Sequence, residues 1–214
     1  MSAPVTTESV KELRDATGIS VMQCRRALEE AEGDVKKALA ILKKTSSDIA
    51  LKKVNREVKD GRVAVKTNEK KSVLVSLHCE TDFVARNEDF VSLLDKLVDK
   101  ALSEGTEKTK TEAKEMIDLV IQKTGENIVL GDVVEVSGDV LGYYVHNNKI
   151  GVIVSLERGN PELAKDIAMH VAAMQPEDIP ELLSQSFIKD GEQTVGQLLE
   201  KAQAKIKEVK RCSI

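Results

Sequence analysis

Between Thr7 and Lys44 the apolar residues recur every three or four positions, with breaks at Thr17-Gly18 and Gly33-Asp34. That period predicts three short helices. Val10 and Leu13 mark the first; Val21, Cys24, Leu28 and Ala31 the second; Val35, Ala38, Leu39 and Leu42 the third. Ser20 and Asp34 suit the starts of the second and third, because a short oxygen-bearing side chain accepts from the free backbone N–H groups there. Three helices in so short a span predict a miniature bundle, too small for an enzyme site and well suited to docking. Met22 lies about 100° round the second helix from Val21, off the packing stripe, and is a candidate contact residue. Residues 45–60 are polar and basic with Leu51, Val54 and Val58 at helical spacing, which predicts a helical linker.

From Gly61 the period changes to two. Val63, Val65 and Thr67 alternate with polar residues, Asn68 to Lys71 is a polar turn, and Val73, Val75, Leu77 and Cys79 alternate again. This predicts an antiparallel hairpin with one buried face. A helix capped by Asn87 follows, with Phe90, Leu93, Leu94, Leu97 and Ala101 on its stripe. Thr109 and Glu112 have capping-box spacing before Met116, Ile117, Val120 and Ile121, which predicts a further helix closed by Gly125. The pattern then returns: Tyr143 to Val145, a turn at Asn147-Asn148-Lys149, Ile150 to Leu156, and a helix opened by Asn160-Pro161. Ser72 to Leu77 and Gly151 to Leu156 even share letters, so the body reads as a duplicated hairpin-plus-helix unit. Between strand and helix the first copy carries six extra residues, within His78 to Arg86. A long connection on a rigid scaffold is where function concentrates. Pro176 and Pro180 break the chain before Leu182 to Ile188. Thr194 and Gln197 then open a last helix with the stripe Val195, Leu198, Leu199, Ala202, Ile206 and Val209.

The predicted class is α+β: a three-helix N-terminal domain and a core of two related antiparallel hairpin-plus-helix halves. The divisions fall at 1–45 (docking domain), 46–60 (helical linker), 61–125 (first core subdomain), 126–190 (second core subdomain) and 191–214 (C-terminal helix module).

Composition narrows the chemistry. The 214 residues include only three Phe, two Tyr and no Trp, so base stacking cannot be spread over a broad platform. Residues 1–71 hold 16 Lys/Arg against 11 Asp/Glu, and the overall net charge is −4, so a basic leading third precedes an acidic body. A solvated face explains this imbalance more simply than RNA contact. No apolar run reaches membrane-spanning length, and Met1 to Glu8 lacks the basic start and apolar stretch of a signal peptide. A cytoplasmic protein is expected. Cys24, Cys79 and Cys212 form no CxxC pair, so neither a disulfide framework nor a zinc site is indicated. Cys24 and Cys79 are expected in the core and Cys212 at the surface.

Catalytic patterns are scarce. Neither GxxxxGK[ST] nor GxGxxG occurs, so no loop is built to cradle a nucleotide. His78 and Cys79 are adjacent on a strand and so point to opposite faces, poor geometry for a thiol and its base. His170 reads as a satisfied, partly buried histidine. What remains is Thr81-Asp82-Phe83-Val84, where Phe83 is either an exposed apolar wedge beside an acidic tip or a plug folded back into the core.

Several stretches carry a family resemblance. Leu13-Arg14-x-x-Thr17-Gly18-x-Ser20-Val21-Met22-x-Cys24-Arg25-Arg26-Ala27-Leu28 and Cys79-Glu80-Thr81-Asp82-Phe83-Val84-Ala85-Arg86 resemble the two signatures of bacterial elongation factor Ts. Asp166 to Ala173 and Thr194 to Leu199 resemble two further family stretches. The resemblance implies a guanine-nucleotide exchange factor for elongation factor Tu, not an enzyme, with no cofactor or metal of its own. It implies an N-terminal domain similar to ubiquitin-associated domains and a core of two subdomains. By resemblance, Thr81, Asp82, Phe83 and Val84 intrude beside the partner's Mg²⁺ site, and Val21, Met22, Tyr144, His146, His170 and Leu198 touch the partner. A 1:1 complex with GDP-bound or nucleotide-free elongation factor Tu is implied, without membrane or direct nucleic-acid contact. The chain departs from the family at Ser76 and His78, where Glu and Asn are usual, and at Arg25, where Lys is usual. It also lacks the long helical-hairpin insertion near Pro180 and the final strand motif of many members. Two rival readings are an RNA- or ribosome-binding adaptor built on residues 36–71, with 12 Lys/Arg against 4 Asp/Glu, and a cysteine-dependent hydrolase using Cys79.

Overall fold

The computed structural model describes residues 4–214, so the first three residues of the Met1–Glu8 stretch lie outside it. Helices α1 (Thr7–Thr17), α2 (Val21–Glu30) and α3 (Val35–Leu51) surround a core of Leu13, Ile19, Cys24, Ala27, Leu28, Ala38 and Leu42. Thr6, Ser20 and Asp34 cap them through side-chain oxygens, and Gly18 ends α1 in the left-handed region at φ 67°. Val21 is exposed rather than part of the packing stripe. The third helix runs on through the expected linker to Leu51. Its buried stripe begins with Ala38 and Leu42 in the bundle and continues through Ser46, bonded to Gln122 of α6 (Thr106–Thr124), and Ala50 in the first core, which outweighs the polar composition of that stretch. Leu51 and Val54 therefore lie exposed.

The body holds two three-stranded antiparallel sheets. The first has the order β1 (Asp60–Thr67), β2 (Lys71–Cys79), β3 (Ile128–Ser137); the second β4 (Val140–His146), β5 (Ile150–Glu157), β8 (Lys205–Ser213). Helices α5 (Glu88–Glu104) and α6 cover one sheet, and α7 (Pro161–Met174) covers the other. The predicted hairpins are present, with Asn147 and Asn148 both at positive φ in the second turn, as Asn tolerates.

Several expectations change. The central strands are buried on both faces, not one, because the two sheets pack back to back through Val63, Leu74, Val136, Leu141, Ile153 and Cys212. Cys212 is consequently only 6% exposed. Residues 128–137, placed by the sequence division with the second half, form the third strand of the first sheet. The tail is not one helix: α9 (Val195–Lys201) stops, and Ile206 and Val209 belong to β8, where pairing with β5 supplies the backbone partners that an amphipathic helix would have met internally. Helix α6 begins at Thr106 because the Thr109 hydroxyl donates back to Gly105 O at 2.9 Å and so does not cap. The remaining elements, α8 (Ile179–Ser184), β6 (Ser186–Phe187) and β7 (Asp190–Thr194), form a small cap beside α9. Among the described residues no helix is long and apolar enough to cross a membrane.

Glycine is required where α7 crosses β4. A Cβ on Gly142 would come closer than 3.0 Å to the backbone of Ala164 and Lys165, atoms that cannot turn aside. Gly142→Ala is expected to destabilise the protein by about 1–3 kcal/mol through overpacking, measured as a lower urea midpoint at unchanged slope.

Candidate functional site

The longer connection between β2 and α5 holds a one-turn helix, α4 (Asp82–Ala85). Thr81 caps it by accepting from Val84 N. Its four residues divide by position: Val84 and Ala85 enter the first core, whereas Phe83 is 82% exposed and Asp82 points outward to Arg86 at 3.1 Å. The core-plug reading of Phe83 is thereby overturned.

The turn is held by a residue that sequence reasoning missed. Glu126, just past the end of α6, accepts from Glu80 N at 3.1 Å, Thr81 N at 3.0 Å and Thr81 Oγ1 at 2.6 Å. Glu80 in turn accepts from Asn127 N at 2.6 Å, and Asn127 Nδ2 donates to Arg56 O at 2.8 Å. Bonds to an ionised acceptor are the stronger kind, and three on one carboxylate leave the backbone before Phe83 little freedom. The only sequence signal was an acidic residue straight after a helix-ending glycine, which carries no address.

Cys79 is fully buried and donates to Thr81 O at 3.2 Å. Burial, with the Glu126 and Asp60 carboxylates nearby, pushes its thiol up to about 12, so the nucleophilic thiolate is suppressed at neutral pH. This disposes of the Cys79 hydrolase. Cys212, expected at the surface, has its thiol raised to about 11 by burial between the sheets.

The other candidates divide into those near this turn and those away from it. Met22 is 60% and Val21 47% exposed at the start of α2. Tyr144 is half-buried and His146 exposed at the β4–β5 turn, where Tyr144 Oη and His146 Nδ1 lie 3.2 Å apart. That turn sits at the same end of the molecule as α4: Val63 N donates to Asn148 O at 2.8 Å, and Lys149 Nζ reaches Asp60, which pairs with Cys79. Leu198, half-buried on α9, belongs to the segment that leads into β8 beside Glu157, the opposite end of the second sheet.

His170 is no surface residue. It is 0% exposed, with Ile188 N donating to Nδ1 at 3.3 Å, so the Nε2 proton faces Gln185 Oε1 at 2.9 Å. Its neutral form is what the cap of α8, β6 and β7 requires.

Part of the basic third is engaged with the acidic body. Lys43 pairs with Glu115 at 2.7 Å, Lys66 with Asp99 at 2.6 Å and Lys71 with Glu135 at 2.9 Å. These pairs account for part of the charge imbalance without a nucleic acid. Among the described residues no group of three or more His, Cys, Asp or Glu could hold a metal ion.

Two outcomes are expected. Glu126→Ala lowers the local stability of residues 80–86 by about 1.5–3 kcal/mol, read as faster hydrogen exchange at the Glu80 and Thr81 amides while β2 amides keep their protection. His170 has its pKa lowered by burial, and His78 likewise. The unfolded chain therefore takes up protons first as the pH falls, and the stability present above the unfolded value of about 6.5 drains away below it. The urea midpoint should drop between about pH 7.5 and about pH 5.5, and drop less in His170→Gln.

A family model described as Elongation factor TS matches residues 80–181, a span that includes α4, Glu126 and the β4–β5 turn. "Elongation factor Ts" of Hahella chejuensis is 44% identical over 182 residues, 82% of this chain and 64% of that protein. The proteins of the same name from Pseudomonas fluorescens and Pseudomonas savastanoi pv. phaseolicola are each 41% identical, over 82% of this chain and 62% of their own length. The chain thus spans less than two thirds of these relatives. With the signature stretches in order and the matched region covering the exposed turn, the chain belongs to the elongation factor Ts family.

Proposed function

We propose that the chain is a translation elongation factor that acts as a guanine-nucleotide exchange factor for elongation factor Tu. The observation that carries this reading is Phe83, exposed on a turn whose backbone a buried strand and the Glu126 carboxylate hold in place. An apolar side chain kept in water on a rigid support is positioned to be buried by something else.

In this reading Thr81, Asp82, Phe83 and Val84 disturb the partner's Mg²⁺ and phosphate site. Mg²⁺ demands near-ideal octahedral geometry, so a small displacement of its surroundings weakens the ion and the phosphates it bridges. Val84 acts from inside, as the anchor of the turn, and Phe83 and Asp82 are the parts that reach out. Burying Phe83 in the partner offsets part of the distortion. By reciprocity, a protein that weakens GDP binding is itself weakened by GDP to the same factor, so exchange is accelerated in both directions without shifting the overall equilibrium.

The three-helix N-terminal unit, which the family resemblance likens to ubiquitin-associated domains, docks through Val21 and Met22. The β4–β5 turn adds Tyr144 and His146, and α9 adds Leu198. His170 supports this surface from within, by holding the α8–β7 cap through Gln185 and Ile188. The two sheet-plus-helix units correspond to the two related core subdomains. The complex is 1:1, with GDP-bound and nucleotide-free partner, in the cytoplasm, and it uses no nucleic acid or cofactor of this chain's own.

Release of fluorescent GDP from elongation factor Tu, chased with unlabelled GDP, tests the reading. The protein is expected to accelerate release, and Phe83→Ala to weaken the effect by about tenfold to a hundredfold, the worth of one buried Phe. No acceleration at any concentration overturns it and brings RNA binding forward.

A further inference from the structure

Helix α6 is shared between the two parts of the molecule. Ala113, Ile117, Val120 and Ile121 enter the first core, while Leu119 packs on the core of the bundle. On the same flank Glu115 pairs with Lys43 at 2.7 Å and Gln122 bonds Ser46, both on α3. These contacts hold the third helix of the bundle. The α1–α2 turn, which leads into Val21 and Met22 at the start of α2, faces a cleft of about 270 Å³ lined by Thr17 and Gly18 on one side and Asp89, Ser92 and Lys96 on the other.

One side chain spans that cleft. Lys123, in the last turn of α6 and 20% exposed, donates to Asp89 Oδ1 at 2.7 Å. Asp89 is the second residue of α5, and Asn87, the cap of α5, directly follows the Phe83 turn. The same ammonium lies against Gly18: a Cβ there would come closer than 3.0 Å to Lys123 Nζ and Cε. Gly18 is three residues from Val21. A single cation thus touches the turn leading into the docking helix and the helix that follows the wedge.

We propose that Lys123 is a positioning residue that locks the α1–α2 turn to the start of α5, so that Val21, Met22 and Phe83 are presented as one rigid surface. The inference rests on the exchange-factor reading for its functional consequence, and on geometry alone for the lock. Two contacts on a rigid frame bind nearly as one, because once the first is made the second is already in place. With the frame loosened, each contact must be ordered separately on binding.

Spin labels on Glu30→Cys and Asp95→Cys, both exposed, read the lock directly, since the native cysteines are buried. The distance distribution is expected to be narrow with Lys123, to broaden in Lys123→Met, which keeps the stem and loses the charge, and to stay narrow in Lys123→Arg. Equal widths in all three overturn the lock, whether or not the protein exchanges nucleotide. In the GDP-release assay, Lys123→Met is expected to raise the half-saturating concentration about threefold to tenfold while the rate at saturation holds. The penalty from Met22→Ala should also shrink in the Lys123→Met background. A Met22→Ala penalty of the same size in both backgrounds, or an unmoved half-saturating concentration, overturns the functional coupling. A protein with Lys123 in place that never stimulates release would instead overturn the exchange reading, leaving the distance measurement to decide the lock.

Discussion

The back-to-back contact of the two sheets is the constraint on which the rest depends. Leu74 and Ile153 meet from opposite sheets, and Gly151 lets them do so, because a Cβ there would press on Leu74 and Val63. Each central strand therefore has helices on one face and the other sheet on the second, and neither can slip in register without moving its whole apolar set to the wrong side. The same contact brings the β4–β5 turn to the end of β1 and β2 from which α4 departs. Two connections far apart in the chain become neighbours because two strands share a face.

On that scaffold the α4 turn divides its residues by physical necessity. Val84 and Ala85 face the first core and gain from leaving water, while the helical turn aims Asp82 and Phe83 the other way. An exposed Phe gains nothing by itself, so its orientation is maintained by neighbours: the Thr81 cap, the Glu126 carboxylate and the buried strand that ends at Cys79. Desolvation beside two carboxylates keeps the Cys79 thiol protonated, so the residue before the turn is a packed anchor rather than a reagent.

Helix α6 links the units. One flank belongs to the α/β core, another to the three-helix bundle, its last turn supplies Lys123, and Glu126 follows just past its end. Much of the opposed charge in the chain is used in the same way, as pairs such as Lys43–Glu115 and Lys66–Asp99 that cross between elements. Exposed pairs of this kind add little stability each, yet they tie part of the basic leading third to the acidic body.

By itself the sequence determined the local elements. The caps at Ser20, Asp34, Asn87, Asn160 and Thr194, the breaks at Gly18 and Asn147-Asn148, and the two alternating hairpins are all present, because each depends on residues within a few positions of one another. The motif around Phe83 was equally legible, being contiguous. Tertiary structure decided whatever hangs on distant partners. Ile206 and Val209 carry a spacing that suits a helix, and β5 made them a strand. Residues 128–137 joined the first sheet through pairing with β2, a strand that α4, α5 and α6 separate from them in the chain. Cys212 and His170 went inside because a second sheet and a small cap closed over them. Glu126 and Lys123 acquired their roles only when α6 ended beside Thr81, Gly18 and Asp89, since a charged side chain has no partner in the sequence, only in space.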